Sequence, residues 1–124
     1  MLINLSNHPS SLWEKEQTEN AKKLYGDIVD VSFPQINPYA DEIEVINIAN
    51  DYCENCINLI NKNNDKNNAV HIMGEMTFCF KLISLLKEKG IKCIASTTER
   101  NVINSPDKTK ITQFHFVRFR EYII

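Results

Sequence analysis

Four short polar stretches carry the side chains best suited to chemistry: "SNHPSS" (6–11), "GEMT" (74–77), "STTER" (96–100) and "FHFVRFREY" (114–122). The first offers Asn7, His8, Ser10 and Ser11. An unperturbed imidazole titrates near about pH 6.5, so His8 can carry a proton or donate a hydrogen bond. It is the candidate catalytic residue, with Asn7 and Ser10 as ligand contacts. The competing reading is a plain loop whose Ser11 caps a helix. "GEMT" opens a predicted helix, where free N–H groups favour anions. Glu75 already satisfies that preference and would repel a phosphate. It therefore reads as a cap-region charge or as a contact to a ribose hydroxyl or base edge, and Thr77 as a donor to a ligand or to its own helix. In "STTER", Thr97 and Thr98 offer hydroxyls and Arg100 a bidentate phosphate clamp; Glu99 and Arg100 can equally be a solvated pair of little energetic weight. In the last stretch, arginine alternates with aromatics, a pattern that serves phosphate binding and base stacking or an edge strand at an interface. Strand alternation would place Phe114, Phe116, Arg118 and Arg120 on one face and His115, Val117 and Phe119 on the other. Arg118 is the candidate ligand contact among them.

The elements that must position these residues alternate. Apolar runs at 2–6, 27–33, 69–73 and 91–96 read as strands. Ser11 and Glu14 resemble a capping box, which predicts a helix from about Leu12 with Leu12, Trp13, Ala21 and Leu24 inward and Gly26 as its stop. Asp41 and Glu44 predict a second helix from about Glu42 to Asn61, buried along Ile43, Ile46, Ala49, Cys53, Cys56, Ile57 and Ile60. A third helix is predicted from about Glu75 to Glu88, with Phe78, Leu82, Leu85 and Leu86 inward. "RNVIN", the turn-rich "SPDKTK" and "ITQFHFVRFREY" predict a β-hairpin.

The order β-α-β-α-β-α-β followed by a hairpin implies an α/β fold: a three-layer Rossmann-like sandwich, mainly parallel, with an antiparallel edge. In such sheets ligands bind beyond the carboxyl ends of the strands, near the switch in strand order. With the first strand flanked by the second and third, the switch falls between "SNHPSS" and "GEMT". Neither G-x-G-x-x-G nor G-x-x-x-x-G-K-[ST] occurs, so neither a dinucleotide cofactor nor ATP in a P-loop is expected.

A chain of 124 residues with 43% hydrophobic and 24% charged residues predicts one globular domain. Its net charge of -2 argues against a generic polyanion-coating protein. No apolar run reaches the roughly 20 residues that span a bilayer, and the N-terminal stretch lacks a secretion pattern, so a cytoplasmic location is expected. Cys53 and Cys56 form C-x-x-C inside a helix stripe, and Cys79, Cys93 and His71 lie in other apolar elements. These read as core residues, and no metal site is expected.

"LINLSNHPS", "VHIMGEMTF", "GIKCIASTTER" and "FHFVRFREY" together resemble a family of small uncharacterised bacterial proteins, associated with CRISPR loci among the accessory proteins of type III systems. The resemblance spans nearly the whole chain. Other accessory proteins of type III systems include Rossmann-like domains that bind cyclic oligoadenylates, often as dimers, and some cleave them. The resemblance therefore implies a nucleotide or RNA ligand, with a cyclic oligoadenylate bound by a homodimer as the leading expectation. Such cleavage would be metal-independent attack of a ribose 2′-hydroxyl on the adjacent phosphate, with His8 as acid or base. Two rivals stand beside it: a small-molecule hydrolase or transferase using His8 with Glu75 or Glu99, and a protein-interaction module using the arginine–aromatic edge.

Overall fold

The computed structural model describes residues 1–107 and 109–124. Five strands form one sheet: β1 (Leu2–Ser6), β2 (Ile28–Asp30), β3 (Ala69–Met73), β4 (Lys92–Asn104) and β5 (Lys110–Glu121), in the order β2-β1-β3-β4-β5. All pairings are parallel except β4–β5, which is antiparallel. The α/β architecture and the C-terminal hairpin are as the sequence predicts. The turn predicted at 105–110 is described except for Lys108.

Strand alternation splits the core into two layers. Ile3, Leu5, Val70, Ile72 and Cys93 pack with α2 (Glu42–Asn61) and α3 (Met76–Glu88). Leu2, Ala69 and Ile94 pack with Ala21 of α1 (Lys15–Tyr25) and with Phe116 and Phe119 of β5. Asp41 caps α2 by accepting the Glu44 N–H at 2.9 Å. The four cysteines are buried free thiols. Burial pushes Cys56 and Cys93 up to about 12 and Cys79 up to about 11, which keeps these thiols protonated and inert.

Several boundaries differ from expectation. The first helix begins at Lys15, and the predicted Ser11–Glu14 capping box does not form: Ser10–Leu12 make a 3-10 turn, and Glu14 occupies the cap position but turns its carboxylate to the Phe116 N–H, 3.3 Å away, instead of capping the helix. Trp13 stays extended because its ring turns onto the sheet, 5.2 Å from His71 and 6.2 Å from Phe119. Leu12 and Leu24 are exposed. In α2 the buried stripe is Val45, Ala49, Cys53 and Cys56, leaving Ile43 and Ile46 exposed. β2 is shorter than predicted: Val31 still donates to the Asn4 carbonyl at 2.9 Å, after which Phe33 turns inward onto Phe78.

The largest correction concerns "STTER". It is not an exit from the sheet. β4 runs on to Asn104, paired with β5 along its length. A register shift between Thr97 and Thr98 leaves Val117 as an extra residue in β5. This bulge resets the alternation. Phe119 consequently joins Phe116 in the same core layer, with ring centroids 4.9 Å apart, where simple alternation would have put them on opposite faces.

Candidate functional site

The switch-point edge is built from the polar positions of otherwise apolar strands. On the α1 face, Leu2 is followed by Asn4 and Ser6 in β1, and Ala69 by His71 in β3. The ladder sets Asn4 level with Asp30 on one side and His71 on the other. Ile94 is level with His71, so Ser96 lies one step further along the same face of β4. One polar side chain per strand thus forms a row across the sheet.

These side chains are bonded end to end. Asn4 Nδ2 donates to Asp30 Oδ1 at 2.8 Å and to the His8 carbonyl at 2.9 Å. Both amide hydrogens are spent on pure acceptors, so Asn4 Oδ1 must accept. His71 Nδ1 lies 2.9 Å from it and therefore carries the imidazole proton. His71 Nε2 is left as an acceptor, with Ser96 Oγ at 2.7 Å donating to it. Gln17 of α1 donates to the same Ser96 oxygen at 3.0 Å. Asn4 and His71 are buried to within 2% of full burial, and the bonds replace the water they lose.

The charges follow from this placement. Burial lowers His71 to about 4, so its imidazole is neutral at pH 7. For Asp30, burial pushes the carboxyl upward, but hydrogen bonds from Ser10 and Asn4 outweigh it and hold the group below its ordinary value. Asp30 accepts both the Ser10 N–H, at 2.9 Å, and its hydroxyl, at 2.7 Å.

Above the row opens a cavity of about 550 Å³. Its floor includes Ser6, His71 and Ser96. Its walls come from Asn7 and His8, from Leu12, Trp13, Glu14 and Gln17, from Met73 and Gly74, and from Thr98, Phe114 and Phe116. The "SNHPSS", "GEMT" and "STTER" segments therefore meet in one place. Gly74 is required by close packing: a Cβ there would lie 2.2 Å from the Phe33 ring.

The candidate residues divide clearly. Asn7, His8 and Thr98 line the cavity. Arg100 is the ladder partner of Phe114, and cross-strand partners share a face, which puts Arg100 level with the cavity wall. Ser10 is outside the wall and holds Asp30. Thr97 closes the bulge: its hydroxyl donates to the Arg118 carbonyl at 3.1 Å and lies 3.2 Å from the Arg118 N–H. Arg118 turns its Nε to the Phe119 carbonyl at 3.2 Å, away from the cavity lining. Glu75 is the α3 cap, accepting from the Phe78 N–H at 2.8 Å and from the Thr77 N–H at 3.1 Å and hydroxyl at 2.7 Å. Those bonds, that of Phe78 first, lower its carboxyl. Neither Glu75 nor Thr77 lines this cavity. Asn4, Gln17 and Asp30 are not among the candidates the sequence offers, His71 reads there as a core residue, and Ser96 is one of three adjacent hydroxyls that open "STTER". The available signal was a polar residue at matching depth in each of two central apolar strands.

A family model described as "Uncharacterized protein MJ1673 family" matches residues 1–120. The chain belongs to that family. Neither the curated proteins nor the solved structures gave a match. The match takes in β1 to β4, β5 as far as Arg120 and every residue of the polar row, so the cavity of this MJ1673-family chain lies wholly within the matched segment. Among the described residues, no helix is long and apolar enough to cross a membrane.

Proposed function

We propose that the chain is a cytoplasmic, CRISPR-associated accessory protein that binds a cyclic oligoadenylate or related nucleotide, with one nucleoside unit in the switch-point cavity. The observation that carries this reading is the pairing of an exposed aromatic, Phe114, with Arg100 directly across the ladder, at the wall of a cavity of about 550 Å³. Ligand cavities commonly hold about 300–1,000 Å³. A base stacks on Phe114, the ribose hydroxyls meet Asn7 and Thr98, and phosphate stays outside at Arg100. Glu14 in the wall supports that orientation, because it repels an anion placed further in. A ring of four or six adenylates exceeds one such cavity and would span two copies, which supports a homodimer. His8, which also lines the cavity, would move a proton if the ring is cleaved.

Calorimetry with cyclic tetra-adenylate, cyclic hexa-adenylate and AMP tests this reading. Stacking of one base is worth about 1–3 kcal/mol, so Phe114→Ala should weaken binding about 5- to 150-fold. Arg100→Ala should weaken the cyclic ligands while leaving thermal stability unchanged. Absence of binding by all three nucleotides at millimolar concentration would remove the proposal.

A further inference from the structure

The geometry points to Ser96 as the nucleophile of an ester-hydrolysing centre, with His71 as its base. This inference does not depend on the nucleotide reading; it rests on the directions of the hydrogen bonds across the sheet. Three conditions define an activated hydroxyl: a base in contact, a group that fixes the base, and donors where negative charge develops. Ser96 Oγ donates to His71 Nε2 at 2.7 Å, and Asn4 Oδ1 holds the Nδ1 proton on the far side at 2.9 Å. The β3–β4 ladder ends at His71–Ile94, and beyond it the Ser96 N–H turns to the Met73 thioether, 3.4 Å away. Sulfur is a weak acceptor, and the N–H is therefore available to an oxyanion. Gln17, already donating to Ser96 Oγ, adds a second amide beside it.

The cavity selects the electrophile. Among the described residues its lining contains no lysine or arginine, and it does contain Glu14. A neutral carbonyl centre suits this floor better than an anionic phosphate. Trp13, Phe114 and Phe116 offer apolar surface for the ester's substituents. Ser96 Oγ attacks the carbonyl carbon while its proton passes to His71 Nε2. The tetrahedral intermediate collapses, the C–O bond to the alcohol breaks, and His71 returns the proton to the departing oxygen. Water then attacks the acyl-serine, giving its proton to His71, which reprotonates Ser96. The net reaction is ester plus water to acid plus alcohol. A buried imidazole of low proton affinity is always available to accept a proton at neutral pH, but it is a weak base. Turnover should be slow, which makes covalent labelling the sharper readout.

The intact protein should be incubated with an alkyl fluorophosphonate and digested for mass spectrometry, and p-nitrophenyl butyrate hydrolysis should be followed in parallel. The expected result is a single adduct on Ser96 and turnover that falls at least 100-fold in Ser96→Ala. Ser96→Thr, which keeps the hydroxyl, guards against misfolding and should retain measurable labelling. A folded wild-type protein that takes no adduct on Ser96, or a Ser96→Ala variant with unchanged turnover, would overturn the inference. Neither outcome touches the calorimetric test of nucleotide binding, so the two ideas fail separately.

Discussion

Between about pH 6.5 and pH 4, His71 should make acid destabilise this fold, and the size of its effect follows from where it sits. An imidazole in the unfolded chain titrates near about 6.5; in the folded protein, burial between Trp13 and Phe119 lowers it to about 4. Between those values the unfolded chain binds a proton that the folded chain refuses. Stability therefore falls as pH drops through the window, by up to about 1.4 kcal/mol per pH unit. The loss begins near pH 6.5, reaches about 2 kcal/mol at pH 5 and about 3 kcal/mol near pH 4, and stops once both states are protonated. Above pH 6.5 the lowered value costs nothing. Asp30, two bonds away, is held below its ordinary value and stays charged through this window. Glu14 and His115, paired at 3.8 Å beside the cavity, are common to wild type and variant and cancel in a difference. The perturbation is His71→Gln, which removes the titration and keeps a polar group. Urea unfolding at pH 7, 6 and 5, followed by the single tryptophan, Trp13, gives the two slopes. The wild type should lose about 2 kcal/mol more than the variant from pH 7 to pH 5. Parallel slopes, agreeing within about 0.5 kcal/mol, would show that His71 is solvated or already charged in the native state. Should the variant fail to fold, an NMR titration of the wild-type His71 ring decides the same point, with the Nδ1–H form expected above pH 5.

Two further perturbations probe the elements around the cavity. Phe119→Ala removes a ring packed on Phe116, Tyr25 and Trp13, and should cost about 3–5 kcal/mol in urea unfolding at neutral pH. A loss below about 1 kcal/mol would mean that the bulge does not turn Phe119 inward. Glu75→Ala removes the α3 cap and should cost about 1 kcal/mol, with nucleotide affinity unchanged in the calorimetric assay. The stabilisation from this cap is present above the ordinary glutamate range and fades as pH falls through the lowered folded value.

The order of elements was legible because burial imposes periodicity. "LINLS" and "AVHIM" are central strands covered on both faces, and the Ala49–Cys53–Cys56 stripe survives intact in α2. Legibility failed where burial stops. Past Thr98, β4 and β5 form a ribbon exposed at nearly every position, so no alternation marks "TTERN" as strand. Its threonines, aromatics and β-branched residues carried that information only as propensity. The bulge at Val117 has no glycine or proline to announce it, and it inverts the face assigned to Phe119. In α1, tertiary packing of Trp13 outweighed a local capping pattern that was present in the sequence but unused.

The site was half legible for a related reason. The strand-end rule pointed to Asn7, His8 and Thr98, and these three line the cavity, although Thr98 lies within β4 rather than at its end. It could not single out Asn4, Asp30, His71 and Ser96, which are distant in sequence and become neighbours only through register. In an apolar run, a lone asparagine or histidine looks like a tolerated impurity. Register turns four such residues into one bonded row, in which both ring nitrogens of buried His71 depend on Asn4 and Ser96. A buried asparagine or histidine left unpaired would cost about 1–3 kcal/mol, so the row is stable as a set and fragile piecemeal. An apolar residue at each position would have filled the same space without that risk. The polar alternative also brings a hydroxyl, through a fixed imidazole, to the floor of the cavity. Ser96 satisfies the buried His71 Nε2 at 2.7 Å, and covalent labelling separates that structural role from a chemical one.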